Sequence, residues 1–272
     1  MPRSGRWRRS AEAALAVGAW MGLGWTLGLD GNRYLLLGIP ITLAFQLGVR
    51  RRPLHRLWVR DVAEFRMDRT ATLLAALLAV TPAYALARLF AVRDNPVEWV
   101  LVAWSVAAIT GAVAAGFAFR RFTRETLRSL ARCVATAGTL GITLMVAARL
   151  ARPVDFPLTA DAALTATRWF LLYLPVGFVL EEVFFRGTLD AHVHGTHDKR
   201  GTWSALFVSA LWGVWHLPIR ESADFLWAAA AVMVVFHSII GVPLSIYWRR
   251  SGNLAVPATA HALVSAVRNA LL

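Results

Sequence analysis

The segment FVLEEVFFRG, residues 178–187, places two adjacent carboxylates and an arginine in a run of Phe, Val and Leu. On an α-helix Glu182 and Arg186 face the same side, so the arginine can neutralise Glu182. Glu181 points about 100° away from Glu182, and its spacing to Arg186 is poor for an ion pair. Glu181 is therefore predicted to be available as a general base. The alternative is that all three residues form a buried salt bridge that only holds helices together.

Three histidines fall in apolar runs farther along the chain. His216 lies in LWGVWHLP, His237 in VFHSIIG and His261 in PATAHALVS. Each histidine alone is typical of a hydrogen-bonded residue between helices. A free glutamate and two such histidines in successive segments are instead the groups needed to activate water and stabilise an oxyanion. We predict that His216 and His261 form a site with Glu181, and that His237 is a weaker candidate.

A metal site is the alternative use of the same side chains. Zn²⁺ bound by Glu181, His216 and His261 would form a two-histidine, one-carboxylate site with an open position. The sequence has no HExxH motif, and a zinc-bound water would leave only Glu182, paired with an arginine, as the base. We therefore expect that no cofactor is required. The single cysteine, Cys133, excludes an intramolecular disulfide and a cysteine-based zinc site.

The elements that carry these residues are predicted to be transmembrane helices. Apolar residues make up 57% of the 272 residues, and the chain has 12 Trp, which is typical of a protein surrounded by lipid. We predict an all-α, polytopic transmembrane helical bundle with eight or nine spans, since each apolar run approaches the roughly 20 residues that cross a bilayer. The runs are 12–29, 33–49, 70–92, 97–119, 133–151, 166–190, 203–220, 227–248 and 254–272.

The net charge of +13 is carried mainly by segments between the apolar runs. We expect no nucleic-acid partner, because no soluble domain would present these charges as a surface. A cytoplasmic N-terminus places 21 of the 29 Lys and Arg residues on the cytoplasmic side, as the positive-inside rule requires. Arg outnumbers Lys 28 to 1, which favours the inner membrane of a GC-rich bacterium. The basic segment 50–69 is expected to lie on the membrane surface.

Ionisable residues divide the chain into two parts. Few lie within the first five apolar runs, whereas the last four runs hold the glutamates, Arg186 and the three histidines. We therefore predict N-terminal transmembrane helices with basic cytoplasmic loops at 1–165 and a catalytic core at 166–272. A transporter or channel would also bury carboxylates and histidines as a proton relay, but the inverted repeats expected of one are not visible.

The motifs resemble the CAAX-protease and bacteriocin-processing family of intramembrane endopeptidases, also called the Abi family. Its pattern is EExxxR, then aromatic-xxx-His, then a Phe-rich helix containing glycine, a TGSL-like turn and a final His-xxx-Asn. Here EEVFFRG is followed by SALWGVWHLP and by FHSIIGVPLSIYWRRSGNLAVPATAHALVS. The resemblance covers residues 166–266, and the order of four motifs makes it specific.

The resemblance implies an intramembrane endopeptidase that cleaves a membrane-associated peptide or the C-terminal anchor of another protein. It implies that Glu181 activates water and that His216 helps to position this water. His261 would stabilise the tetrahedral oxyanion, while Glu182 and Arg186 match the supporting pair. The expected partners are thus the substrate and the lipid bilayer. A catalytically inactive membrane scaffold or immunity protein is the rival interpretation, and the sequence does not predict the oligomeric state.

Two residues depart from the family pattern. Trp212 replaces the usual Phe, which is a mild change, and Ser265 replaces the usual Asn. Ser265 lies one helical turn after His261 and is predicted to join it in donating to the oxyanion. The alternative for Ser265 is a hydrogen bond to its own helix, which is common for a serine within a helix.

Overall fold

The computed structural model describes residues 3–91, 98–151, 159–194, 201–219 and 226–271. These ranges are helical apart from turns, loops and an isolated bridge between Val59 and Asn253, which confirms the all-α prediction. The α-helices they contain are α1 (Arg3–Thr26), α2 (Gly31–Leu36), α3 (Gly38–Ala44), α4 (Arg69–Ala91), α5 (Trp99–Phe119), α6 (Arg124–Cys133), α7 (Thr139–Leu150), α8 (Ala160–Val176), α9 (Ala191–Val193), α10 (Thr202–Trp215), α11 (Leu226–Ser251) and α12 (Ala255–Leu271).

Short segments of other helical types extend or connect these helices. A π-helical segment continues α3, and another joins α6 to α7 without a break. A third follows the two glutamates, and 3₁₀ turns lie before α4 and after α10. The π-helices are Phe45–Val49, Val134–Gly138 and Val183–Asp190, and the 3₁₀ turns are Leu54–Leu57 and Leu217–Ile219.

Four helical stretches in the described ranges are long and apolar enough to cross a bilayer. They are Arg69–Ala91, Trp99–Phe119, Arg124–Leu150 and Leu226–Ser251. The protein is therefore a membrane protein. The other predicted runs form shorter or interrupted helices, so a total of eight or nine spans stays a prediction, as does the division of the chain at residue 165.

The predicted run 166–190 is not one continuous helix. The helix α8 ends at Val176, and the chain resumes as the π-helix Val183–Asp190. Pro175 lacks a backbone N–H and Gly177 has a low helix propensity, so the last turn of α8 is weakly supported. The two glutamates consequently lie at the start of a new, wider helical segment rather than in the middle of a long helix.

The arginine-rich segments meet at one end of the bundle, which we call the arginine end. Arg120 at the end of α5 pairs with Asp68 before α4, and Asp68 also accepts a hydrogen bond from the backbone N–H of Ala71. These two interactions, the backbone bond foremost, hold the pKa of the Asp68 carboxyl below its usual range. At the same end, the Arg249 guanidinium binds both carboxylate oxygens of Asp190 at 2.6 and 2.8 Å.

The basic segment 50–69 packs partly into the bundle, and its position on the membrane surface stays a prediction. Leu57 is buried in the core, and the Trp58 indole donates to the carbonyl of Phe178 at 2.8 Å. The carbonyl of Leu57 approaches Gly187 so closely that a Cβ atom there would lie 2.5 Å from it. Residues 57 and 58 thus pack at the arginine end of the bundle against the part of the chain that carries the glutamates.

Candidate active site

Glu181 lies next to two side chains: Trp212 in α10 and His216, the residue that caps the C-terminal end of α10. The indole Nε1 of Trp212 donates to Glu181 Oε2 at 2.8 Å, and His216 Nε2 lies 3.7 Å from the same oxygen. Trp212 and His216 are one helical turn apart, so α10 presents both to the glutamate. The side chain of Glu181 keeps 23% of its surface exposed, so it is the accessible member of the glutamate pair.

The hydrogen bond of His216 defines which ring nitrogen faces Glu181. His216 Nδ1 lies 2.8 Å from the backbone carbonyl of Trp212. A carbonyl can only accept, so the network assigns the hydrogen to Nδ1. Nε2 of the neutral ring then presents a lone pair towards Glu181. A separation of 3.7 Å is too long for a direct hydrogen bond and suits a water molecule that bridges both groups.

Glu182 has two partners rather than the one expected. Its Oε1 atom lies 3.3 Å from Arg186 Nη1 and 3.0 Å from His261 Nδ1. The side chains of Glu182 and Arg186 are completely buried, whereas His261 is partly accessible. The Glu182–Arg186 spacing still produces an ion pair in the π-helix. The additional contact means that Glu182 also orients His261, much as a buried carboxylate orients the histidine of a catalytic triad.

Trp212 connects the two glutamates. The Arg186 guanidinium carbon lies 4.4 Å from the centre of the Trp212 ring, while the indole N–H points at Glu181. Arg186 Nη2 also contacts the carbonyl of Gly241 on α11 at 3.4 Å. A Cβ atom on Gly241 would lie 2.8 Å from Arg186 Nη2, so only glycine leaves room for the buried guanidinium. The Glu182–Arg186 ion pair and the accessible Glu181 carboxylate are therefore linked through the Trp212 side chain.

His237 belongs to this cluster more closely than the sequence indicated. Its ring centre lies 4.1 Å from that of His216, at an interplanar angle of 30°. Its Nδ1 atom contacts the carbonyl of Met233 at 2.7 Å, and its ring meets the edge of Trp212 at 4.6 Å. One signal was present in the sequence: His237 precedes Gly241 by four residues and so lies on the helix face that contacts Arg186.

A cavity of about 420 Å³ reaches Glu181, His261 and Ser265. Ser265 makes no hydrogen bond to any residue of the described ranges, so its hydroxyl can donate into the cavity. Asn269, one further turn along α12, instead donates to the hydroxyl of Tyr173 at 2.8 Å. The structure thus brings together the predicted residues Glu181, His216 and His261, with Glu182 and Arg186 behind them.

The zinc alternative requires three donor atoms to converge on one point about 2 Å from each. His261 Nδ1 faces Glu182, and the Trp212 N–H occupies the Glu181 oxygen nearest to His216. Within the described ranges no group of three or more His, Cys, Asp or Glu side chains is arranged to hold a metal ion. No step below involves a zinc ion, and that no cofactor is required stays a prediction.

These features define a helical membrane protein in which Glu181 and His261 line a mainly apolar cavity. Residues 163–267 match the protein-family model described as "Rce1-like: Type II CAAX prenyl endopeptidase Rce1-like". The match confirms the resemblance inferred from the motifs and relates this part of the chain to a family of membrane proteases. No curated protein and no solved structure matches the chain.

Proposed function

We propose that the protein is an intramembrane endopeptidase in which Glu181 activates the attacking water. The observation that carries the proposal is the contrast between adjacent glutamates. Glu181 is accessible from the cavity and, among the residues described, pairs with no arginine or lysine, while His216 Nε2 lies 3.7 Å from it. Glu182 is fully buried between Arg186 and His261. One carboxylate is therefore suited to proton transfer and the other to support.

The first step is proton transfer from water. A water molecule between Glu181 and His216 Nε2 gives a proton to the carboxylate and attacks the scissile carbonyl carbon through its oxygen. The Trp212 N–H fixes the orientation of the carboxylate during this step. His216 then takes part in passing the proton to the leaving amine, so that cleavage yields a new carboxyl terminus and a new amino terminus.

The second requirement is stabilisation of the oxyanion. His261 donates its Nδ1 hydrogen to Glu182, so Nε2 carries a second hydrogen only when the ring is an imidazolium. The contact with the Glu182 carboxylate at 3.0 Å keeps the ring oriented. Nε2–H can then donate to the developing oxyanion, with the Ser265 hydroxyl as a second donor one turn farther along α12. No cofactor is needed for this sequence of steps.

The proposed substrate is a membrane-associated peptide or the C-terminal anchor of another protein. The proposed location is the inner membrane of a bacterium, with the N-terminus in the cytoplasm. An active endopeptidase is preferred to an inactive scaffold or immunity protein. Neither of the inactive roles requires an accessible glutamate beside a neutral histidine.

Hydrolysis in ¹⁸O-labelled water tests the proposal. The purified protein is reconstituted into liposomes and incubated with apolar membrane peptides, and the products are analysed by mass spectrometry. An endopeptidase places one ¹⁸O atom in the new carboxyl terminus, and Glu181→Gln, purified in parallel, does not. Intact peptides with the wild-type protein would contradict hydrolysis, and equal cleavage by both proteins would contradict the assignment of the base.

A further inference from the structure

The helices run between the arginine end and an opposite end, which we call the far end. The start of α4 packs on the end of α5, because a Cβ atom on Gly116 would lie 2.5 Å from the carbonyl of Ala71. The start of α12 lies beside them, since Asn253 donates to the carbonyl of Ala118 at 2.8 Å. The last residues of α4 and α12 and the first residues of α5 therefore lie at the far end.

Exposed tryptophans mark both ends of the bundle. Trp7 and Trp203 lie at the arginine end, at the start of α1 and α10, while Trp25, Trp99 and Trp227 lie at the far end. Tryptophan is enriched at the two interfaces of a bilayer. Trp7 and Trp25 are separated by 18 residues of α1, or roughly 27 Å along its axis, close to the ~30 Å of a hydrocarbon core.

The cavity extends from the catalytic cluster towards the far end. Its deep part is lined by Glu181 and His261, and its remote part by Leu89, Leu101 and Arg268. His261 and Arg268 are seven residues apart on one face of α12, a distance of roughly 10 Å along the helix. Asn32, which also lines the cavity, lies at the far end because its carbonyl accepts from Trp104 in the second turn of α5.

The lining between these two parts is mainly apolar, although Ser105 and Tyr173 also line the cavity. Leu35, Trp104, Leu172, Val176 and Leu180 surround the middle of the cavity. A volume of about 420 Å³ falls within the range of pockets that hold small molecules or a few residues of a peptide. A charged substrate side chain in this part would be desolvated without a partner. The cavity is thus suited to a short apolar stretch of polypeptide.

We infer that the substrate reaches the site from the far end, and that this end faces the outside of the cell. The arginine end is cytoplasmic by the positive-inside rule, so the lining residues remote from Glu181 belong to the outer half of the membrane. The substrate class is a polypeptide with an uncharged, apolar stretch that lies in or enters from the outer leaflet. The inference rests on the proposed function for the reaction itself, whereas the direction of access is independent of catalysis.

Cysteine labelling tests the direction of access without any need for activity. Cys133 is buried and is replaced in a Cys133→Ala background, into which Asn32→Cys or Ala63→Cys is introduced. Asn32 is exposed at the far end and Ala63 is exposed at the arginine end. A membrane-impermeant maleimide should label Asn32→Cys in intact spheroplasts and Ala63→Cys only after permeabilisation. The reverse pattern, or equal labelling of both in intact spheroplasts, would overturn the inference.

Peptide binding tests whether this cavity holds the substrate. Ala85 lines the cavity, and Ala87, on the same helix, faces outwards. Ala85→Trp should raise the Kd of a fluorescent apolar peptide roughly tenfold, which corresponds to about 1.4 kcal/mol, while Ala87→Trp leaves the Kd unchanged. An equal Kd for both variants would contradict the cavity as the binding site.

The two measurements separate failure of the inference from failure of the proposed function. External labelling with tight peptide binding but no hydrolysis would reject the peptidase and retain the direction of access. Hydrolysis with cytoplasmic labelling of Asn32→Cys would retain the peptidase and reject the direction of access.

Discussion

The hydrogen bond from Trp212 to Glu181 gives a quantitative prediction. Trp212→Phe removes the indole N–H that lies 2.8 Å from the Glu181 carboxylate and keeps an aromatic ring at the position. Trp212 is only 2% exposed, so water replaces the lost donor poorly. A hydrogen bond to a charged group contributes about 1.5–3 kcal/mol, and 1.36 kcal/mol corresponds to a tenfold change in rate. If the bond orients the base mainly in the transition state, kcat should fall roughly 10- to 150-fold with little change in KM.

Trp215→Phe is the matched control for this experiment. Trp215 is also fully buried, but its Nε1 has no hydrogen-bond partner within the described residues. Both substitutions remove similar apolar volume, so both should lower thermal stability, whereas only Trp212→Phe should lower kcat strongly. Replacing the indole of Trp212 by benzothiophene, which has the same shape and no N–H, should reproduce the loss. Equal kcat losses in Trp212→Phe and Trp215→Phe, or full activity of the benzothiophene variant, would refute the reasoning.

Substitutions at three further positions test the supporting residues. Glu182→Gln should reduce both folded yield and turnover, because breaking a buried ion pair costs about 3–5 kcal/mol and His261 also loses its carboxylate; size-exclusion chromatography and kcat measure the two effects. Ser265→Ala should lower kcat roughly 10- to 1000-fold and Ser265→Asn should retain activity, whereas unchanged turnover in Ser265→Ala would reduce Ser265 to a packing residue. Gly241→Ala should lower the stability of the protein by about 1–3 kcal/mol, because the added methyl group displaces Arg186. Gly18→Ala is the control and should not lower it, because a Cβ atom there meets nothing within 4 Å. A thermal-shift assay compares the two variants.

The sequence predicted what depends on local spacing. The apolar runs predicted where helices lie, since the hydropathy of a segment indicates directly whether lipid or water surrounds it. The four-residue interval between Glu182 and Arg186 predicted their contact, which persists in a π-helix because residues four and five apart remain neighbours there. The interruption after Val176 was missed, although Pro175 and Gly177 were visible, because the apolar composition continues through it.

The contacts between distant segments were beyond prediction from one sequence. Glu182 and His261 are 79 residues apart, and Glu181 and Trp212 are 31 residues apart. The resemblance suggested which residues share a site, but Trp212 was interpreted as a mild departure, although its indole N–H, which phenylalanine lacks, donates to Glu181. The packing of α10 and α11 then places the His237 ring beside that of His216, with 4.1 Å between the ring centres. Such contacts depend on how helices are arranged, which hydropathy and residue spacing do not report.

The role of Glu181 is tested most directly by the rate of peptide cleavage by Glu181→Gln relative to the wild-type protein, measured in liposomes with a metal chelator present. A general base contributes about 10²- to 10⁴-fold to a reaction rate. We predict that the wild-type rate is unaffected by the chelator and that Glu181→Gln, folded normally by size-exclusion chromatography, loses at least 100-fold. Cleavage by Glu181→Gln within tenfold of the wild-type rate, or a wild-type rate abolished by the chelator and restored by Zn²⁺, would contradict a glutamate-activated water.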